Sequence, residues 1–390
     1  MPGRHTMIRL IAFLGFALVG IWCLQSWSVQ KPASVSEFAV RVSSQQPPLM
    51  NRCASCHQDV CEEFKDAPHT QTLIEASDPL VLSRFAGRSF QIAKDGPRVS
   101  FEERDKQLWM TSDAYPESLR IEWMFGSGQH AMTPVSLLTN PDGATELVEG
   151  SVSWFPPDVL GATPGADLTG TPGIRSLGEP IDHETTMECF GCHVTQLPHD
   201  DGRIRQQDII KGVSCDRCHP GGEKHIAEME QGAEPSIEKW SKLSPLESIN
   251  RCGECHRRAD QLTASELSPE RSVLVRFAPV GLAMSACFLK QDSAPEGPHS
   301  FRMDCLTCHD PHKPAEKSKE FYVEKCLQCH GPEKHQVSEC TSAITSRECL
   351  ECHMPTVNLT DNLKLTDHWI RIRTSSDLPA ASELAPDPKP

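Results

Sequence analysis

Seven copies of one five-residue unit, Cys-x-x-Cys-His, run along the chain. They are Cys53-Ala-Ser-Cys56-His57, Cys189-Phe-Gly-Cys192-His193, Cys215-Asp-Arg-Cys218-His219, Cys252-Gly-Glu-Cys255-His256, Cys305-Leu-Thr-Cys308-His309, Cys326-Leu-Gln-Cys329-His330 and Cys349-Leu-Glu-Cys352-His353. Two cysteines three apart lie on one helical turn, where each can bond one vinyl-derived carbon of a porphyrin. The next residue then points its imidazole at the iron. The units therefore read as seven sites for covalently attached haem c, with His57, His193, His219, His256, His309, His330 and His353 as proximal ligands. Zinc ribbons and thioredoxin-like motifs also use paired cysteines, but neither demands a His after every second Cys. With 18 Cys and 17 His in 390 residues, chance supplies roughly 0.04 such units, so coincidence is excluded.

Iron in a bis-His haem needs a second imidazole on the opposite face. Eight candidates are present: His69, His130, His183, His225, His299, His312, His335 and His368. His199 is weaker, and His5 falls in the N-terminal apolar segment. Eight candidates for seven irons mean that no iron is forced to stay open. A His three residues after a proximal one sits on the same side of that porphyrin, so His312 must serve a haem other than the one held by His309. His335, five after His330, and His225, six after His219, are constrained in the same sense. Ligands shared between modules would pull the haems into a chain. Bis-His ligation predicts low potentials, and Met354, on the same side as His353, is packing rather than a ligand.

These sites must be positioned by the rest of the chain. Residues 1–28 combine Arg4 and Arg9 with the apolar run Leu10–Leu24 and read as a signal peptide or an N-terminal membrane anchor. Either places residues 30–390 outside the cytoplasm, the second with a membrane tether. Residues 29–50 read as a linker, 51–80 as the first haem module and 81–180 as a β-rich insertion. Modules two to four follow at 181–262 and five to seven at 263–373, before a Pro- and Ala-rich disordered tail at 374–390. Within the insertion, alternation around Asp95-Gly96-Pro97 predicts a hairpin, and LRIEWMF and ELVEGSVSWF predict further strands. Helices are expected at Thr72–Ser77, Lys224–Gln231 and Ser268–Phe277, the last capped by Ser268. Only 38% of residues are hydrophobic and 6% aromatic, lean for several side-chain cores. The expected fold is mainly α with sparse regular structure, organised around covalent haems, with a small β-rich insertion between the first and second units.

A net charge of −15 disfavours nucleic acid, which would repel the chain. Haem propionates deepen it to about −22 oxidised and about −29 reduced. The expected partners are a redox protein donor and acceptor with basic docking surfaces. Of the remaining cysteines, Cys23 lies in the apolar segment, and Cys61, Cys287 and Cys340 are read as one disulfide plus a buried thiol.

The stretch CASCHQDVCEEFKDAPHTQTL resembles the first-haem segment of multihaem cytochromes related to the tetrahaem electron acceptor of hydroxylamine oxidoreductase. GVSCDRCHPGGEKHI is similar to a second segment of that superfamily. The resemblance implies distal roles for His69, here preceded by Ala67-Pro68, and for His225. CLTCHDPH, and CLECHMP followed by TDHWIRIR, resemble C-terminal modules of a large bacterial group of multihaem cytochromes. The likeness covers residues 50–75 and 180–373 and is specific for haem binding rather than for a reaction. Pentahaem nitrite reductases of this kind carry a Lys in one unit, whereas every unit here ends in His. Hydroxylamine oxidoreductases bond a tyrosine to the catalytic haem, and this chain has only Tyr115 and Tyr322.

Two readings follow. In the first, the protein is an extracytoplasmic seven-haem electron carrier. In the second, it is an oxidoreductase whose one open iron acts on a small nitrogen or sulfur compound, with His130 or His183 beside it. Both require that the intact mass of the exported protein exceed that of its polypeptide by seven haem masses. An increment of six in fully matured material would strike one unit from the set.

Overall fold

The computed structural model describes residues 49–94, 96–166, 172–269, 271–291, 302–330 and 348–372. Between the first two attachment units the chain forms β1 (Leu73–Glu75), β2 (Ser89–Gln91), β3 (Arg98–Arg104), β4 (Gln107–Ser112), β5 (Tyr115–Arg120), β6 (Trp123–Phe125), β7 (Thr133–Thr139), β8 (Thr145–Gly150), β9 (Val152–Phe155), β10 (Val159–Ala162) and β11 (Gly178–Ile181). They make a five-stranded sheet, β1-β6-β7-β8-β11, a four-stranded sheet, β2-β3-β4-β5, and the β9–β10 hairpin. All these pairings are antiparallel.

Side chains alternate across the five-stranded sheet, as a strand's period of two requires. Trp123, Phe125, Val135 and Leu147 face Phe190 and Val194 of the second haem segment. Met124 and Val148 face the other way, into a core with Val99, Phe101, Leu108, Met110 and Trp154. Phe85, from the helix Pro79–Phe85, meets Phe101 edge to face at 5.0 Å in that core. Each such buried aromatic contributes about 1.5–3 kcal/mol. The sheet is thus covered on both faces, and its far face is the bed of the second unit.

The haem segments themselves hold little core. From Cys215 to His256 the only fully buried residues are Gly222, Leu243, Ser248, Ile249 and Gly253. Short helices carry the units and stop at them. Helix His183–His193 is capped by Asp182, which accepts from Thr185 N–H at 2.9 Å. Its Thr186 hydroxyl accepts from Leu147 N–H at 3.1 Å, tying it to β8. Helix Pro245–His256 starts with a capping box between Ser244 and Glu247 and has Pro at its first turn. In both helices, and in Cys349–His353, the unit's His is the last helical residue.

The fold corrects the expectation of a mainly α protein with a small β insertion. Strands dominate residues 73–181, and further hairpins pair Thr356–Asn358 with Lys364–Thr366 and His199–Asp200 with Arg203–Ile204. Thr72–Ser77 is not helical, because Leu73–Glu75 is drawn into the sheet by β6. Ser268 caps no helix, and only a 3-10 segment at Ser272–Arg276 forms there. A helix does form at Gly222–Glu230, where one was expected at Lys224–Gln231. The signal or anchor segment, most of the linker and the tail lie outside the described residues.

Candidate metal centres

Four pairs of imidazoles face each other across a gap. His57 and His225 have ring centres 6.4 Å apart, His69 and His256 6.3 Å, His219 and His312 6.2 Å, and His309 and His368 6.2 Å. A metal–imidazole bond is about 2.0–2.1 Å and the bound nitrogen lies about 1.1 Å from its ring centre, so two rings on opposite sides of one ion have centres about 6.3 Å apart. The interplanar angles run from 6° to 78°, as rings free to turn about a common axis allow. Each pair joins one attachment His to a His from elsewhere in the chain. His312 faces His219 rather than its neighbour His309, and His225 faces His57 rather than His219.

Desolvation lowers the pKa of His69, His219, His256, His309 and His368, which favours the neutral ring that binds metal. One nitrogen is occupied in three of the paired rings. His368 Nδ1 lies 2.9 Å from Thr366 O, His312 Nδ1 3.0 Å from Asp310 Oδ1, and a His69 nitrogen bonds the Pro311 carbonyl. Such partners fix the tautomer and leave Nε2 for the metal. His225 Nδ1 is buried without a partner. Gly212, at φ +71°, lets the chain after the second unit cross Thr70; an added Cβ there would sit 2.2 Å from Thr70 O. This approach lets Val213 N–H donate to His69 O at 2.7 Å.

The second unit is different. His193 is half-buried, and desolvation lowers its pKa. Its Nδ1 is 2.8 Å from Thr72 O, a carbonyl that also accepts from Gly126 N–H at 2.9 Å. Its ring stacks on Phe125 at 4.2 Å. Among the described residues no His stands opposite it at the axial separation. His130 lies in the turn that follows Phe125 and is exposed. His183 is held by Thr145 O at 2.8 Å and packs beside Gly202, away from any facing imidazole. His199 is exposed on its hairpin. His353 Nδ1 is 3.1 Å from Arg371 O. His299 and His335 lie outside the described residues.

The attachment sulfurs meet between units. The sulfurs of Cys53 and Cys215, of Cys192 and Cys255, and of Cys252 and Cys305 are close enough to interact. Cys218 lies in electrostatic range of Cys252 and Cys255, and Cys326 in range of Cys308 and Cys349. The units therefore run in space as first, third, fourth, fifth, sixth and seventh, with the second joined at the fourth. Cys61 and Cys287 are both free thiols, so the expected disulfide does not link them. Cys61 sits beside Cys53 and Cys215, whereas Cys287 sits beside Cys308 and Cys326, in a different module. Cys340 lies outside the described residues.

The site residues absent from the sequence reading are Thr72, Phe125, Arg217 and Gly281. Only Arg217 left a signal, as a basic residue inside an attachment unit.

Residues 174–220 match the family described as cytochrome c554 and c-prime. Dissimilatory sulfite reductase MccA of Wolinella succinogenes is 26% identical over 189 residues, covering 39% of this chain and 23% of that protein. The chain thus spans less than a quarter of that relative's length. The outer cell wall cytochrome OcwA shares the fold, with a TM-score of 0.50 at 14% identity over 84% of this chain and 80% of its own. With the repeated attachment units, these findings define a c-type cytochrome with covalently bound haem. The protein is a multihaem c-type cytochrome.

The His309–His368 pair depends on one close backbone contact. An added Cβ at Gly281 would meet Trp369 N at 2.7 Å and the His368 carbonyl carbon at 2.9 Å. Ser285 Oγ reinforces the contact, accepting from Ile370 N–H at 2.8 Å and lying 3.1 Å from His368 O. Gly281→Ala is therefore expected to displace His368 and create one new carbon monoxide-binding haem in the reduced protein. Unchanged ligand binding and low-spin spectra would show that the strap adapts.

Proposed function

We propose that this protein is an extracytoplasmic electron carrier with seven covalently attached haems c, linked in one branched path. The observation that carries this reading is the set of four imidazole pairs at 6.2–6.4 Å. The bound haems would supply one-electron carriers. The chain's part is to hold two imidazoles per iron and bring neighbouring porphyrins together through shared segments. His57 with His225, His219 with His312, His256 with His69, and His309 with His368 are the proposed axial ligands of the first, third, fourth and fifth haems. Its donor and acceptor would dock through basic surfaces. Among the described residues no helix is long and apolar enough to cross a membrane, and export would rest on residues 1–28, cleaved or retained as an anchor.

One observation favours a second role at the second unit. His193 is held as firmly as any ligand here, yet among the described residues only Phe125 is found in ring contact with it. A relative named for sulfite reduction covers part of this chain. Under this reading the second haem keeps a face for a small sulfur or nitrogen compound, and His130, on the adjoining turn, would donate protons to it. The sulfur contact with the fourth unit supplies the electron route.

Titration of the reduced protein with carbon monoxide separates the two roles. About one equivalent per seven haems is expected if the second haem is open, because a bis-His iron must first lose an imidazole. No fast binding would leave a pure electron carrier, and more than three equivalents, exceeding the second, sixth and seventh haems that lie outside the four pairs, would overturn the axial pairs.

The pairs are tested by His312→Met. Thioether ligation raises the potential of the haem it serves, so site-resolved spectroscopy should place the rise at the haem held by His219. A rise at the haem held by His309 would break the assignment.

A further inference from the structure

Arg217 occupies the spacer of the third unit, between Cys215 and Cys218, but its side chain leaves that unit. Its Nη2 donates to the carbonyl of Gly191 at 2.9 Å, and Gly191 lies between the two cysteines of the second unit. The second unit in turn meets the fourth, where Cys192 Sγ lies 3.9 Å from the carbonyl of Glu254. One guanidinium, anchored in the third unit, thus touches the second beside its contact with the fourth. These are the units that meet where the path branches.

We propose that Arg217 is a built-in positive charge at this branch point, raising the reduction potentials of the second, third and fourth haems. The inference rests on the haem reading given above. Ferric haem takes up one electron without a bond forming or breaking, and a fixed cation nearby favours the reduced iron. Guanidinium stays ionised at any working pH. A partly buried charge is screened less by salt than a fully exposed one. It also opposes the charge of a chain at −15, to which every haem adds two propionates.

The surrounding charges leave a positive balance. Glu254, in the fourth unit's spacer, is exposed, and its carboxylate is drawn toward Arg251, at 3.7 Å.

The test is a mediated electrode titration of the full haem-loaded protein, followed by visible absorbance, with haem content measured on the same sample. Arg217→Gln keeps the donor to Gly191 and removes the charge. Its expected effect is a fall of about tenfold in the equilibrium constant for reduction, equal to 59 mV for one electron, confined to at most three-sevenths of the absorbance change. Arg217→Lys should restore most of the lost potential. Glu254→Gln, an exposed change that leaves Arg217 in place, should shift the same fraction upward. An unaltered curve for Arg217→Gln, or an equal fall for Gln and Lys, would overturn the proposal. If Arg217→Gln does not assemble, the absence of any upward shift in Glu254→Gln overturns it. Absence of covalent haem from the native protein would instead remove the haem reading itself.

Discussion

An octahedral iron asks for two imidazoles on a single axis, and that demand explains more of this molecule than its apolar core does. In four pairs the rings stand 6.2–6.4 Å apart, and none is formed within one attachment segment. Each pair is therefore a tertiary contact as well as a proposed metal site. The sparse burial between Cys215 and His256 is consistent with porphyrin serving as core there, since cofactor binding of this kind supplies folding free energy.

The β domain solves a different problem. Its five-stranded sheet packs one face against a conventional core and lends the other to the second haem segment. The Thr72 carbonyl joins these functions in one atom, accepting from His193 Nδ1 and from Gly126 N–H. Three residues earlier, His69 faces His256. A four-residue stretch thus braces the second and fourth haem sites together.

The attachment units were fully legible in the sequence because their chemistry is local: five consecutive residues contain both sulfurs and the proximal nitrogen. Local geometry also showed that His312 could not serve His309, yet nothing in the sequence named His219 as its counterpart. That choice is made by tertiary packing. The β content was underestimated because its strands are mostly three to seven residues long, too short for a period to declare itself. Trp123-Met124-Phe125 hides its alternation altogether, being covered on both faces. Gly281 and Thr72 act through a missing Cβ and a backbone oxygen, which leave no residue-type signature.

The crossed pairing has a consequence for biogenesis. A chain threaded across a membrane from its N-terminus delivers Cys53, Cys56 and His57 long before His225, the ring that faces His57. Haem attached at the first unit would wait, capped on one side, until the third unit has also emerged. His69 must likewise wait for His256, and His219 for His312. If the facing imidazoles are axial ligands as proposed, maturation would not proceed as independent beads finished in order of arrival; it would close late, in overlapping steps, with half-ligated irons held in the meantime.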